Sequence, residues 1–281
     1  MGTCPRYFSG FDLLTADHRQ LLFQEAFPSH LKATQTIGEP AKRATDSVVI
    51  CLHGFTGMTF EAMPVAQACA AAGIDALVPL LPGHGYRCLS DQKRHFKRIT
   101  KAGILNAVRE EIARARQHYS FVGLYGQSMG GVIALSLAAE QLVDACAVSA
   151  PALKLPWIAE WLAPVICRVP FSRSTCIQNE FYIPSYKFHH SYAVRTLWQL
   201  SRHARNQLLN IRCPVLGIHT HQDETVPPVV LEMMEARIPG PVETVWIEPS
   251  SHCMTVDQSG AAVSRRVADF FNWQFLGADT H

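Results

Sequence analysis

The sequence lacks the features that mark membrane-spanning and nucleic-acid-binding proteins. Its apolar stretches are broken by proline, glycine or charge before they reach the length of a membrane-spanning helix. Residues 1–6 lack the continuous apolar region of a signal peptide and the serine or threonine of a myristoylation motif. Charged residues make up only 17% of the chain, the formal net charge is +2, and no long run of Lys or Arg is present. We therefore expect neither a transmembrane segment nor a nucleic-acid partner.

The cysteines also lack the spacing of a metal or disulfide framework. Nine are present, none in a C-x-x-C pair, and Cys51, Cys146 and Cys213 lie in apolar stretches. Such residues are typical of buried free thiols in a reducing compartment, so we expect a cytoplasmic protein. No oligomeric state follows from the sequence.

Strands and helices are predicted to alternate over most of the 281 residues, and the 48% of hydrophobic residues is enough for a large core. This alternation predicts a mostly parallel central sheet with helices on both faces. It begins at Ser47, so we expect one domain over residues 47–281. The alternation stops over about 151–190, where we expect an insertion. Residues 1–46 form an N-terminal segment that is compatible with a hairpin or an irregular flap.

A candidate nucleophile lies in the pattern Gly126-Gln127-Ser128-Met129-Gly130. The apolar residues 120–125 before it predict a strand, and residues 131–140 after it predict a buried helix. A G-x-S-x-G sequence between a strand and a helix is typical of a nucleophile elbow, which exposes its serine at the edge of a sheet. The alternative is that Ser128 only satisfies backbone groups in a turn.

A candidate acid and base follow two later predicted strands. Asp223 comes after the apolar residues 213–219, and His252 follows the alternating residues 242–248. Because parallel strands place their carboxyl ends at one edge, we expect both side chains near Ser128. Glu224 and Asp257 are alternative acids, and Asp257 is better explained as a cap of the last helix.

Other histidines offer alternatives to His252. His53 and His84 lie in glycine-containing turns, and we interpret them as structural residues. His219, His221 and Asp223 alternate along the chain and are compatible with a metal site, but no further ligand is nearby.

Five segments together resemble the carboxylesterase and monoacylglycerol-lipase branch of the α/β-hydrolase family. They occur in the order found in that family and span most of the chain from Ser47 to Phe271: residues 53–57 (HGFTG), 81–85 (LPGHG), 126–131 (GQSMGG), 223–228 (DETVPP) and 251–257 (SHCMTVD). The resemblance implies an α/β-hydrolase fold with a small cap insertion, and a Ser128–His252–Asp223 triad. It also implies that the backbone N–H groups of Phe55 and Met129 form the oxyanion hole.

The predicted insertion is apolar and aromatic in the position where this family carries its cap. Trp157 and Trp161 are expected to line an apolar wall over Ser128, with transient lipid contact through the cap. The alternative is that both tryptophans only pack the cap onto the body.

We therefore expect a serine hydrolase that cleaves carboxylic esters, with short- to medium-chain acyl esters or monoacylglycerols as its small-molecule substrates. An acyl-enzyme mechanism of this kind requires no cofactor and no metal. A thioesterase or acyltransferase with the same triad is the first alternative, and a non-catalytic binding protein on the same fold is the second. An amidase or peptidase is a further alternative.

Overall fold

A computed structural model describes residues 36–39, 46–86, 89–156, 160–161, 163, 168–174 and 185–276. Its strands are β1 (Thr36–Glu39), β2 (Ser47–Leu52), β3 (Asp75–Pro79), β4 (Phe121–Gln127), β5 (Ala145–Ser149), β6 (Ser172–Ser174), β7 (Phe188–His190), β8 (Val215–His219) and β9 (Val242–Trp246). Its α-helices are α1 (Met63–Ala71), α2 (Leu89–Phe96), α3 (Lys101–Ala115), α4 (Met129–Ala138), α5 (Ser191–Gln207), α6 (Val230–Arg237) and α7 (Gly260–Leu276). Short 3₁₀ helices, Thr59–Glu61 and Leu208–Asn210, precede α1 and follow α5.

The central sheet contains seven strands in the order β1-β3-β2-β4-β5-β8-β9. The last six strands in this order, β3-β2-β4-β5-β8-β9, run parallel to one another. Strand β1 pairs antiparallel with β3 at the edge. Every residue of β2 and β5 is buried, as expected for parallel strands that are covered on both faces. The predicted sheet of mostly parallel strands is confirmed.

The sheet divides the core into two clusters, each covered by helices on one face. Ile50 and Leu52 of β2 face the first cluster and Val49 and Cys51 face the second, because successive side chains of a strand alternate. The first cluster is shared with α3, α4, α5 and α6, and the second with α1 and α7. All residues of α4 are buried, so this helix has a rigid position directly after β4.

A small antiparallel insertion lies between β5 and β8, where the sequence predicts the cap. Its strands β6 and β7 pair with each other and lead into α5. Glu160 of the insertion binds helix α5, because its carboxylate accepts hydrogen bonds from Arg205 at 2.7 and 3.1 Å. The same carboxylate accepts the N–H of Leu155 at 3.0 Å.

Two elements add to what the sequence predicts. From the sequence alone we interpret residues 79–91 as a loop, but α2 begins at Leu89 inside this stretch, and it buries only Gln92 and Phe96. Its eight residues include only two apolar ones, Leu89 and Phe96, which are too few to predict a helix from the sequence. Strand β1 lies inside the N-terminal segment and extends the sheet through main-chain pairing with β3. None of the helices in the described residues has both the length and the apolar character needed to span a bilayer.

Candidate active site

Ser128 lies in a sharp turn between β4 and α4. Its φ of 54° and ψ of −110° are a strained combination for a residue other than glycine. The turn closes tightly, because a Cβ on Gly126 would lie 2.2 Å from the carbonyl carbon of Gly130, and a Cβ on Gly130 would lie 2.3 Å from the oxygen of Leu52. The two glycines thus allow the close backbone approach that exposes the serine oxygen.

Three side chains from separate loops form one hydrogen-bonded chain. Nε2 of His252 lies 2.9 Å from Oγ of Ser128, and Nδ1 of the same ring lies 2.7 Å from Oδ2 of Asp223. Ser128 follows β4, Asp223 follows β8 and His252 follows β9, so all three lie at the carboxyl edge of the sheet. The structure therefore brings together the serine, histidine and aspartate that the sequence nominates.

Asp223 is held as a carboxylate by several donors. Its Oδ1 accepts the N–H groups of Thr225 and Val226 at 2.7 and 2.9 Å. Burial raises the pKa of this carboxyl, but the hydrogen bonds from His252 and from the two backbone groups outweigh it, so the pKa lies below its ordinary value. Glu224, the neighbouring alternative acid, is exposed.

Asp257 organises the loop that carries the histidine. Its Oδ2 accepts the backbone N–H of Ser251 at 2.5 Å and the hydroxyl groups of Ser250 and Ser251 at 2.8 and 2.9 Å. Its Oδ1 accepts the N–H of Ser259, just before α7 begins. The role is structural, as expected, but most of the bonds hold the loop before His252 and not the helix end.

Gln127, directly before the nucleophile in the chain, holds the backbone of His252, a role that we do not predict from the sequence. Its side-chain Nε2 donates to the carbonyl oxygen of His252 at 2.5 Å. Its Oε1 accepts the hydroxyl of Ser149, which contacts the Tyr125 hydroxyl at 2.5 Å. The one signal in the sequence is a polar residue between the apolar strand and Ser128. In the structure Gln127 is 1% exposed, so its polar atoms need partners inside the protein.

The two predicted oxyanion donors lie on either side of Ser128. Met129 is the first residue of α4, so its N–H has no partner inside the helix. The N–H of Phe55 belongs to the same peptide as the Gly54 oxygen, which Nδ1 of His53 contacts at 2.9 Å. Because this peptide is trans, the N–H projects away from His53. Among the described residues, no acceptor is hydrogen-bonded to either N–H.

His53 and His84 hold the loop around Phe55, which is the structural role predicted for them from the sequence. Nε2 of His53 accepts the N–H of Leu81 at 3.1 Å, so its proton is on Nδ1 and donates to Gly54. Nε2 of His84 lies 2.6 Å from the carbonyl oxygen of Phe55. Burial lowers the pKa of both rings more than their bonds to backbone oxygens raise it. The neutral form is the one that allows His53 to accept the N–H of Leu81.

His219 and His221 do not converge with Asp223 as a ligand set would. His221 is exposed, stacks on Trp246 at 3.9 Å and contacts Glu248 at 3.1 Å. His219 is buried, with its Nδ1 lying 3.9 Å from Asp223. Across the described residues, no group of three or more His, Cys, Asp or Glu side chains is placed to hold a metal ion.

Part of the insertion faces the oxyanion loop. The ring of His189 on β7 lies 5.6 Å from that of Phe55, which also packs against Phe96 at 5.1 Å. Trp157 lies outside the described residues, and the side chain of Trp161 is 77% exposed. Tyr186, just before β7, also contacts this loop, because its backbone N–H donates to the oxygen of Thr56 at 2.9 Å.

Comparison with known proteins gives the class to which this fold and site belong. The profile of the alpha/beta hydrolase family matches residues 49–266, which is more than half of the chain. The chain therefore belongs to the alpha/beta hydrolase family.

Similar proteins include several lipases. A thermostable monoacylglycerol lipase from Bacillus sp. (strain H-257) is 27% identical over 229 residues, covering 79% of this chain and 89% of that protein. A solved structure described with LipS and LipT, two metagenome-derived lipolytic enzymes, has a TM-score of 0.76 at 21% identity and covers 86% of this chain and 98% of its own. The monoacylglycerol lipase of Paleococcus ferrophilus has a TM-score of 0.71 at 14% identity, with coverage of 86% and 99%. The structural likenesses show a shared fold.

Proposed function

We propose that the protein is a serine hydrolase that cleaves carboxylic esters through an acyl-enzyme. The observation that carries this proposal is the continuous hydrogen-bonded chain from Ser128 through His252 to Asp223. It is supported by two N–H groups beside the serine and by membership of a hydrolase family.

The first half-reaction forms the acyl-enzyme. Oγ of Ser128 attacks the ester carbonyl while Nε2 of His252 takes its proton, across a contact of 2.9 Å. Asp223 holds the ring with its proton on Nδ1 and stabilises the imidazolium that forms. The N–H groups of Phe55 and Met129 stabilise the negative charge on the carbonyl oxygen, and the imidazolium then protonates the leaving alcohol.

The second half-reaction releases the acid. A water molecule occupies the place of the alcohol, gives a proton to His252 and attacks the acyl carbon. The oxyanion of the second tetrahedral intermediate is again stabilised by the two N–H groups. When this intermediate collapses, the His252 imidazolium returns a proton to Oγ of Ser128 and the acid is released. The same three side chains and two N–H groups therefore act in both halves.

The proposed substrates are short- to medium-chain acyl esters or monoacylglycerols. The names of the Bacillus and Paleococcus relatives support the monoacylglycerol class. The ring of Phe55, the residue of a proposed oxyanion donor, contacts that of His189 at 5.6 Å, which supports an aromatic wall near the site, and we propose that Trp157 and Trp161 extend it. Transient lipid contact through the insertion follows from the same assignment.

A cytoplasmic location belongs to the same proposal. Cys51, Cys69 and Cys146 are buried free thiols in the structure. Burial raises the pKa of each thiol, which keeps it in the unreactive protonated form. Unpaired thiols of this kind are typical of proteins in reducing compartments.

A substrate panel tests the proposed reaction. We expect hydrolysis of p-nitrophenyl esters, with kcat/KM rising from acetate to butyrate and hexanoate, and slower cleavage of a matched anilide. A matched thioester and an added alcohol acceptor test the thioesterase and acyltransferase alternatives. A kcat/KM for the thioester more than about 100-fold above that for the ester would reassign the enzyme as a thioesterase. Loss of all esterase activity in Ser128→Ala controls for contaminating enzymes.

A further inference from the structure

Glu61 is a buried acidic residue that the proposed mechanism does not use. It ends the 3₁₀ helix directly after the oxyanion loop, and it is only 5% exposed. Its Oε2 accepts the backbone N–H of Gly54 at 2.8 Å. Its backbone oxygen accepts the hydroxyl of Thr255 at 2.7 Å, close after His252 in the chain. Glu61 thus connects the loop of the oxyanion donor with the loop of the base.

The oxyanion loop is shaped around this carboxylate. A Cβ on Gly57 would lie 2.2 Å from Oε1 of Glu61, and a Cβ on Gly54 would lie 2.9 Å from Oε2. A Cβ on Gly54 would also lie 3.7 Å from Cβ of Ser128. Only Gly54 therefore separates the carboxylate from the nucleophile in space. Both glycines therefore leave room that the Glu61 side chain fills.

The carboxylate completes the restraints on the peptides that flank Phe55. Glu61 holds the peptide that contains the Gly54 N–H, and His53 holds the next one, which carries the Phe55 N–H. His84 holds the third at the carbonyl oxygen of Phe55. Gly54 is the most flexible residue in this stretch, and its φ is fixed only while the peptide planes on both sides of its Cα are held.

Burying an acidic side chain in this space is energetically unfavourable. Burial raises the pKa of Glu61 to about 7, and the bond from Gly54 and the nearby charges of His252 and Lys187 offset only part of that rise. A residue retained for packing alone would have no reason to carry an ionisable group here.

We propose that Glu61 is a positioning residue of the oxyanion hole: by accepting the Gly54 N–H, it fixes the direction in which the Phe55 N–H points. The proposal rests on the proposed esterase function. It predicts that loss of the acceptor weakens binding of the tetrahedral oxyanion and leaves binding of the uncharged ester almost unchanged.

The first test compares Glu61→Ala with Glu61→Gln, with rates expressed per site that a fluorophosphonate can label. We expect Glu61→Ala to lower kcat for p-nitrophenyl butyrate at least about tenfold and to change KM less than about threefold. Affinity for a trifluoromethyl ketone, which forms an oxyanion on Ser128, should weaken by the same factor as kcat/KM. Glu61→Gln keeps an acceptor oxygen and should restore most of the activity. Glu111→Ala, which removes another mostly buried glutamate on α3, is the matched control and should leave kcat unchanged.

A second perturbation moves the carboxylate without removing it. The methyl group of Gly57→Ala would overlap Glu61 and displace it from Gly54, so this variant should show a similar loss of kcat. In the Glu61→Ala background that space is empty, so the double variant should be no slower than Glu61→Ala alone. Gly57→Ala also tests the proposal if Glu61→Ala does not fold.

The outcomes separate this inference from the proposed function. Full activity in Glu61→Ala, equal losses in Glu61→Gln and Glu61→Ala, or multiplying losses in the double variant would each overturn the positioning role while leaving the esterase intact. A wild-type protein that neither hydrolyses esters nor reacts with the fluorophosphonate would overturn the proposed function itself, and this inference with it.

Discussion

Replacing Asp223 with asparagine tests the proposed role of a single carboxylate oxygen. Oδ1 of Asp223 accepts the N–H groups of Thr225 and Val226, whereas Oδ2 lies 2.7 Å from Nδ1 of His252. The amide oxygen of asparagine must take the Oδ1 position, because an NH2 group there would face two donors. The NH2 group then faces Nδ1 of His252, which must become an acceptor.

The consequence is a base in the wrong tautomer. The ring proton moves to Nε2, which lies 2.9 Å from Oγ of Ser128, so His252 can no longer accept the serine proton. We expect kcat to fall by up to about 10⁴-fold, which corresponds to roughly 5 kcal/mol of transition-state stabilisation. Folding stability should change little, because the two backbone hydrogen bonds to the side chain remain.

The assay is steady-state hydrolysis of p-nitrophenyl butyrate, with thermal unfolding measured on the same preparations. Glu224→Gln is the matched control, because Glu224 is the adjacent acid and is exposed. It should keep wild-type kcat. A folded Asp223→Asn variant with kcat within about tenfold of wild type, or a larger loss at Glu224, would refute the assignment of Asp223.

Three further predictions concern stability, support of the base and chain length. Because the pKa of Glu61 rises from 4.5 to about 7 on folding, beside His252 and Lys187, the folded state binds its proton more tightly. Stability from this group should therefore fall by up to about 3 kcal/mol as pH rises from about 4.5 to 7, and urea unfolding of Glu61→Gln should lack that fall. Gln127→Ala removes the donor to the His252 carbonyl and should cost about 1–3 kcal/mol in urea unfolding and lower kcat several-fold; unchanged values would contradict the network. Each added acyl CH₂ should raise kcat/KM about three- to fourfold until the cleft is full, and Trp157→Ala should flatten that slope, whereas lower stability with an unchanged slope would mean that Trp157 only packs.

The sequence predicts those parts of the fold and site that depend on local pattern. Apolar strands such as residues 47–52 are recognisable because a parallel strand is buried on both faces. The positions of Asp223 and His252 follow from strand ends, because parallel strands deliver their last residues to one edge. Ser128 follows from two glycines that a tight turn requires.

The remainder depends on contacts between side chains, which one sequence does not reveal. The bond from Gln127 to His252 joins positions 125 residues apart, and nothing in the local pattern of either residue predicts the other. Glu61 gives only a weak signal, a single charge in an apolar stretch. Its role follows from the 2.8 Å contact with Gly54. Helix α2 is missed because it is short and polar, with only Leu89 and Phe96 as apolar residues.

Covalent labelling tests the central claim most directly. A fluorophosphonate should modify one serine of the wild-type protein, and peptide mass mapping should place the adduct on Ser128. Hydrolysis of p-nitrophenyl butyrate should be lost in proportion to the labelled fraction. The residual rate of Ser128→Ala, due to binding and the oxyanion donors alone, should be lower than wild type by several orders of magnitude. An adduct on another residue, or ester hydrolysis that survives in Ser128→Ala, would contradict the account.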